Sequence, residues 1–276
     1  MFADDTNLFF KHQNLITLCN IVNTELIKIW KWFKLYTLSL NVKKPIILFS
    51  IIKTKLLFNV NLVLQTDNVI IKQVNSCKFL GVIINSNLTW QDHIETVCKK
   101  ISKSIGIILT IRKNVPNDVL ITLYHTLVIP YFSYCNILWA SHDTSYLNCL
   151  FIKQKKAIRI ITNSKFSALT KLLFQRLNLL NIYESNKIQT CFMYKILNNI
   201  LPSYFVSLFT TNLSIHDHFT RQASKFHMTS HHTNVRAYSI QVYGTKFWNS
   251  LSKDITVSAS LSIFKKQCIE FMHKAT

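Results

Sequence analysis

The sequence predicts an α+β fold, in which an antiparallel β region with one helix precedes a mainly helical region and a mixed C-terminal segment. Three observations indicate this class. Residues 1–10 set two adjacent acids between apolar residues, which is typical of a tight β-hairpin. From Asp92 onward, apolar side chains recur with the roughly 3.6-residue period of amphipathic helices. The segment 203–246 is polar and His-rich. We therefore expect three domains, at residues 1–90, 91–200 and 201–276.

The composition indicates an ordered, strongly basic protein. The chain has 276 residues, of which 49% are hydrophobic, so a packed core is expected. It carries 32 Lys and Arg against 12 Asp and Glu, a formal net charge of +20 that suits a polyanion such as nucleic acid. A bias toward AT-rich codons is the alternative source of the lysines. Seven scattered Cys without a CxxC pair predict reduced thiols in an intracellular protein, nuclear or cytoplasmic, and no zinc site.

The first region is predicted to contain one helix and several strands. Apolar residues with helical spacing run from Leu15 to Tyr36. An apolar run predicts a strand at residues 46–52, and Asp67-Asn68 predicts the turn of a hairpin over residues 56–71. Residues 79–84 are predicted to form a single strand, in which Gly81 marks a bulge or a close backbone approach.

The later regions are predicted to be helical. The expected helices cover residues 92–111, 119–129, 131–140, 147–162, two pieces between 166 and 199, and 262–274. The uncharged stretch 119–140 is long enough to span a bilayer. A buried pair of helices broken at Pro130 is the better interpretation, so we expect no membrane partner.

Asp4 and Asp5 are the strongest candidates for a functional site. Neighbouring carboxylates repel each other, and a cation such as Mg²⁺ relieves that repulsion in a crowded site. The alternative is a solvated turn, whose geometry Asp favours.

Two groups of cations are candidates for phosphate contacts. The first group is Lys99, Lys100 and Lys103, and the second is Lys153, Lys155, Lys156 and Arg159. The four cations of the second group fall within seven residues, which predicts a one-sided basic surface. An ordinary solvated helix face is the alternative for any one of them. The histidines between 216 and 232 are interpreted as polar loop residues rather than metal ligands.

Several segments resemble a known family. Phe2-Ala3-Asp4-Asp5 is similar to the [YF]-A-D-D box of reverse transcriptases from non-LTR retrotransposons of the jockey type. Asn41, followed three residues on by Lys44, resembles the next palm motif. Later segments follow in the order of the family. Residues 79–82 are similar to its primer grip, residues 127–131 to its thumb, and residues 247–251 to its C-terminal segment. The resemblance runs through nearly the whole chain.

The resemblance implies RNA-directed DNA synthesis with Mg²⁺, dNTPs, an RNA template and a DNA primer. It makes residues 1–90 the C-terminal part of a palm and residues 91–200 a helical thumb. Asp4 would be a metal ligand with Asp5 beside it, and Lys44 would lie near the nucleotide phosphates. Phe79, Leu80 and Gly81 would form the primer grip. The cations of both groups would contact phosphates in the thumb.

The chain also departs from the family pattern. Pro45 stands where Ser or Thr is usual, and Asn85 where Asp is common. The first palm strand with its Asp, and the fingers, are not found. We therefore expect a chain that is inactive alone and associates with another chain that supplies those parts. The alternative is a non-catalytic remnant that binds nucleic acid without sequence preference.

Overall fold

The computed structural model describes residues 7–37, 46–47, 65–66, 69–70, 72–140, 144–187, 191–215 and 222–275. The chain divides into two compact units, Met1–Asn87 and Leu88–Thr276. The described part is mainly helical and includes small two-stranded sheets, as an α+β class requires. The palm, thumb and domain boundaries remain predictions.

The described part of the first unit includes a long helix, α1 (Leu15–Leu35). Its N-cap is Asn14, whose side-chain oxygen accepts hydrogen bonds from the backbone N–H of Ile16 at 2.9 Å and of Thr17 at 3.3 Å. Such a cap satisfies N–H groups that have no partner within the helix. Val22 is buried in a small cluster with Phe10, Leu18 and Leu26. The helix predicted from residue 15 is confirmed.

The strands described in this unit are short and form three pairs. Strands β1 (Ile46–Ile47) and β4 (Lys72–Gln73) are parallel. Strands β2 (Gln65–Thr66) and β3 (Val69–Ile70) are antiparallel, which confirms a hairpin in residues 56–71; its predicted turn lies outside the described residues. Strands β5 (Ser76–Phe79) and β6 (Val82–Asn85) form the third pair, also antiparallel.

The prediction of one strand over residues 79–84 was wrong, because the chain reverses inside this run. Phe79 pairs with Val82, so Leu80 and Gly81 form a two-residue turn. Both have positive φ, 45° and 84°, as a type I′ turn requires. Leucine rarely adopts this conformation, so the apolar run concealed the turn.

The strand predicted after the acidic dyad is also absent from the described residues. Residues 7–10 carry no strand pairing. The ring of Phe9 instead packs edge-on against Phe79, with ring centroids 5.6 Å apart. Aromatic packing, rather than a backbone ladder, holds this segment to the β5–β6 hairpin.

The second unit is built from helices. Those described are α2 (Gln91–Ile111), α3 (Asn117–Leu127), α4 (Ile129–Ser133), α5 (Asn136–Trp139), α6 (Thr144–Ile161), α7 (Thr170–Arg176), α8 (Ile182–Lys187), α9 (Cys191–Leu197), α10 (Ser203–Val206), α11 (Asn234–Ala237), α12 (Thr245–Ser250), α13 (Lys253–Thr256) and α14 (Leu261–Ala275). A 3₁₀ turn covers Asn212–Ser214, and a π-helical turn covers Ile240–Gly244.

Two hydrophobic cores organise these helices. The first lies among α2, α3, α6, α7 and α8, with Ile101, Tyr124 and Ile158 at its centre. The second is formed by α9, α12, α13 and α14, where Tyr194 stacks on Phe264 with ring centroids 4.8 Å apart. The amphipathic pattern of α2, α6 and α14 explains why each buries one face.

One helix boundary differs from the prediction. The chain breaks at Val128, and Pro130 lies in the first turn of α4, where its missing N–H is tolerated. The break predicted around residues 178–181 is confirmed, since α7 ends at Arg176, Asn178 has φ 50° and α8 begins at Ile182. Among the described residues, no helix is both long and apolar enough to cross a membrane.

Candidate nucleic-acid interface

The three lysines of α2 occupy two different positions. Lys99 and Lys103 are four residues apart and exposed, on the side of α2 away from the buried stripe that includes Ile101 and Ile105. The Nζ atom of Lys100 lies 5.5 Å from the ring centre of Tyr131 in α4. All three cations are therefore exposed, and Lys100 is in addition held near an aromatic ring.

The four cations of α6 spread over the solvent-facing half of that helix. Its opposite face is buried through residues such as Leu150, Ala157 and Ile158. Lys156 is exposed, whereas Lys153, Lys155 and Arg159 are half-buried at the borders of the core-facing side. The basic surface is thus broad and not a single stripe.

Lys153 lies beside the contact between α2 and α6. There the Sγ atoms of Cys98 and Cys149 are 2.9 Å apart. Burial and the hydrogen bond to Cys149 raise the pKa of Cys98 to about 12, while the charge of Lys153 acts in the opposite direction. Cys98 is therefore a neutral thiol in the fold, and the opposing charges of Lys153 and Glu95 have the smaller effects on its pKa.

Lys155 borders a pocket of about 260 Å³. Its Nζ atom lies 4.1 Å from the ring centre of Phe151, which also lines the pocket with Phe174. At the opposite side, Asn181 and Glu184 exchange hydrogen bonds at the start of α8, a capping box. The cation is therefore positioned by packing on an aromatic ring.

Arg159 anchors the turn that follows α6. Its Nε and Nη2 atoms both donate to the carbonyl oxygen of Ala168, at 3.4 and 3.2 Å. Its guanidinium carbon lies 5.2 Å from the ring centre of Phe166. Arg159 thus has a structural role in addition to its charge.

Beyond the first turns of α2, which contain Asp92 and Glu95, both helices carry only positive charges. Residues 96–117 contain five Lys or Arg and no acid, and residues 144–183 contain seven and no acid. Within the described part of the chain, the ion pair that forms is Lys28 with Glu25, far from these helices in sequence. The two helices therefore carry an excess of positive charge, for which phosphates are natural counter-charges.

The three predicted primer-grip residues form the β5–β6 hairpin tip. Phe79 is half-buried against Phe9, Leu80 is 50% exposed and Gly81 is exposed. The structure therefore presents Leu80 and Gly81 on a tight turn, which is an accessible shape for contact with a ligand.

The remaining predicted site residues, Asp4, Asp5 and Lys44, fall outside the part of the chain that the structure describes. Among those that are described, no three His, Cys, Asp or Glu side chains are placed to hold a metal ion. His227 and His231 lie in an irregular segment, and His216 and His218 are outside the described part.

Sequence reasoning missed a buried polar network in the first core. Gln154 of α6 is 1% exposed, and its Nε2 donates to the Tyr124 hydroxyl at 2.9 Å and to the Leu180 carbonyl at 3.0 Å. Its Oε1 accepts from the backbone N–H of Ile182 at 2.9 Å. The available signal was a glutamine on the apolar side of α6.

The chain was compared with protein-family models, curated proteins and solved structures, and none of them matches it.

Proposed function

We propose that the second unit binds nucleic acid without sequence preference through the cations of α2 and α6, and that the chain is part of a jockey-type reverse transcriptase. The excess of positive charge on the two packed helices, which carry seven candidate cations against the two acids in the first turns of α2, is the observation that carries the binding proposal. The sequence boxes around Asp4 and Gly81 support the family assignment.

The side chains on this surface favour phosphate contact over base reading. Lys99, Lys103 and Lys156 are exposed lysines, which act as mobile point charges rather than as fixed forks. Contacts of that kind give affinity and strong salt dependence but carry no sequence information. A thumb that holds a template–primer duplex of any sequence needs such contacts.

The proposal that the chain takes part in nucleotidyl transfer rests on its resemblance to jockey-type reverse transcriptases. Asp4 and Asp5 would bind Mg²⁺, Lys44 would approach the phosphates, and the hairpin at Leu80 and Gly81 would position the primer. The family pattern uses a further palm carboxylate beside these two acids. Asp4→Ala should therefore abolish Mg²⁺-dependent primer extension on an RNA template, and extension that survives this substitution would contradict the assignment.

Binding is tested by fluorescence anisotropy with labelled duplexes of unrelated sequence. We expect equal affinities for different sequences and tight binding at low salt that weakens steeply as salt rises. Absent binding at low salt, or a strong preference for one sequence, would refute the proposal.

A further inference from the structure

We infer that Phe166 is a stacking platform for an unpaired nucleobase, so that the basic surface of the second unit engages single-stranded nucleic acid as well as a duplex. This inference rests on the proposed function, and it names a residue, a contact and a ligand class beyond that function. Phe166 is 87% exposed although it belongs to an ordered turn.

The turn is held by backbone hydrogen bonds. After α6, the N–H of Ser164 bonds to the Arg159 carbonyl at 3.0 Å, and that of Asn163 to the Ile160 carbonyl at 3.3 Å. Asn163 has φ 50°, which completes the pattern of a Schellman motif. The N–H of Ala168 then bonds to the Lys165 carbonyl at 3.0 Å, closing a turn with Phe166 near its tip.

Arg159 fixes the ring as well as the turn. The same guanidinium that donates to the Ala168 carbonyl lies 5.2 Å from the ring centre of Phe166. One side of the ring is therefore supported by a cation, and the high exposure leaves aromatic surface available to a ligand. A pre-positioned aromatic ring loses little conformational freedom when a base stacks on it.

The positive charge around the Phe166 turn favours nucleic acid as the ligand. Phe166 lies in the acid-free stretch 144–183, next to exposed Lys165 and in the turn that follows α6, the helix of Lys156 and Arg159. Proteins that bind single strands combine a basic track for the phosphates with aromatic side chains for the bases. A base within a duplex cannot stack on Phe166 without leaving its own stack, so the platform favours unpaired bases.

The test compares single-strand and duplex binding by the full chain. The probes are an oligothymidylate strand, the same strand carrying 2-aminopurine, and a duplex of equal length. Phe166→Ala should weaken single-strand binding by roughly 5-fold or more and remove stacking-induced quenching of 2-aminopurine, since alanine substitution of a stacking residue has about that effect. Duplex affinity should change by less than about 2-fold. Phe166→Trp should retain both signals.

Tyr204→Ala is the matched control, because Tyr204 is an aromatic residue 69% exposed in α10. It should leave single-strand binding unchanged.

If the wild type binds both probes and Phe166→Ala leaves single-strand affinity and quenching unchanged, the platform is refuted and the proposed function stands. Equal losses for strand and duplex would refute it too. A Phe166-dependent affinity for anionic vesicles with no quenching would assign the ring to a lipid surface instead. A wild type that binds neither nucleic acid at low salt would refute the proposed function itself.

Discussion

Gln154 and Tyr124 form a buried hydrogen bond of 2.9 Å between α6 and α3. The same glutamine also bonds to the Leu180 carbonyl just before α8 and to the backbone N–H of Ile182, the first residue of α8. One side chain thus links three segments inside the first helical core. Because a buried polar group that loses its partner destabilises a fold strongly, this network is a sensitive point of the second unit.

Gln154→Leu should destabilise the second unit by about 3 kcal/mol or more, because the Leu180 carbonyl and the Ile182 N–H would lose a buried partner. Chemical denaturation measures this. Tyr124→Phe removes only the hydroxyl and should destabilise by about 1 kcal/mol. If Gln154→Leu is as mild as Tyr124→Phe, the network does not hold the core.

His93 should make stability dependent on pH. Burial, followed by the nearby charge of Lys100, lowers its pKa from the usual value of 6.5. Its ring is 4% exposed and lies edge-on to Trp139, with ring centroids 5.6 Å apart. The unfolded chain therefore binds a proton at a higher pH than the folded one, and stability falls as the pH drops below about 6.5.

The measurement is the unfolding midpoint between about pH 8 and pH 5. In the variant His93→Gln, which does not titrate, the midpoint should depend less on pH over this range. His125→Gln is the control, since His125 is an exposed histidine of α3. An unchanged pH dependence in His93→Gln would contradict the assignment.

The Leu80-Gly81 turn should respond to changes in backbone preference. Leu80 has φ 45°, which is unfavourable for leucine by about 1 kcal/mol, so Leu80→Asn should stabilise the β5–β6 hairpin. Gly81→Ala should destabilise it by about 1 kcal/mol. Hydrogen exchange of the hairpin amides reports both effects, and changes of the opposite sign would show a different turn.

The thiols should differ in their reactivity. Burial raises the pKa of Cys191 to about 11 and that of Cys268 to about 12. Cys149 is exposed. Iodoacetamide at mildly alkaline pH should modify Cys149 well before those two, because the thiolate is the reactive form. Peptide mass spectrometry over time gives the order, and early alkylation of Cys268 would mean that the second core opens readily.

The sequence predicted the helices better than the turns. Amphipathic spacing located α1, α2 and α14 because burial of one face dominates in each. It failed at Leu80, where a leucine takes a conformation usually filled by Asn or Gly, and at Pro130, where a helix starts instead of ending.

The positive charge of the candidate surface could be predicted from the sequence, but the contacts of its side chains could not. The sequence alone shows that cations cluster in α2 and α6. The contact of Arg159 with Ala168 could not be predicted, because it depends on how the turn after α6 folds. The role of Gln154 could not be predicted either, because its hydrogen-bond partner Tyr124 lies in another helix and the sequence does not show which residues meet.

The most direct test of the binding account is the salt dependence of duplex affinity in two matched variants. One changes Lys99, Lys103 and Lys156 to Gln, and the other changes Lys246, Lys253 and Lys266 to Gln. All six lysines are exposed, and each variant loses three positive charges. Each phosphate contact adds about 0.9 to the slope of log affinity against log salt. We predict that the first variant loses about two to three units of slope and the second keeps the wild-type value. Equal slopes in both variants would contradict a specific role for the surface of α2 and α6.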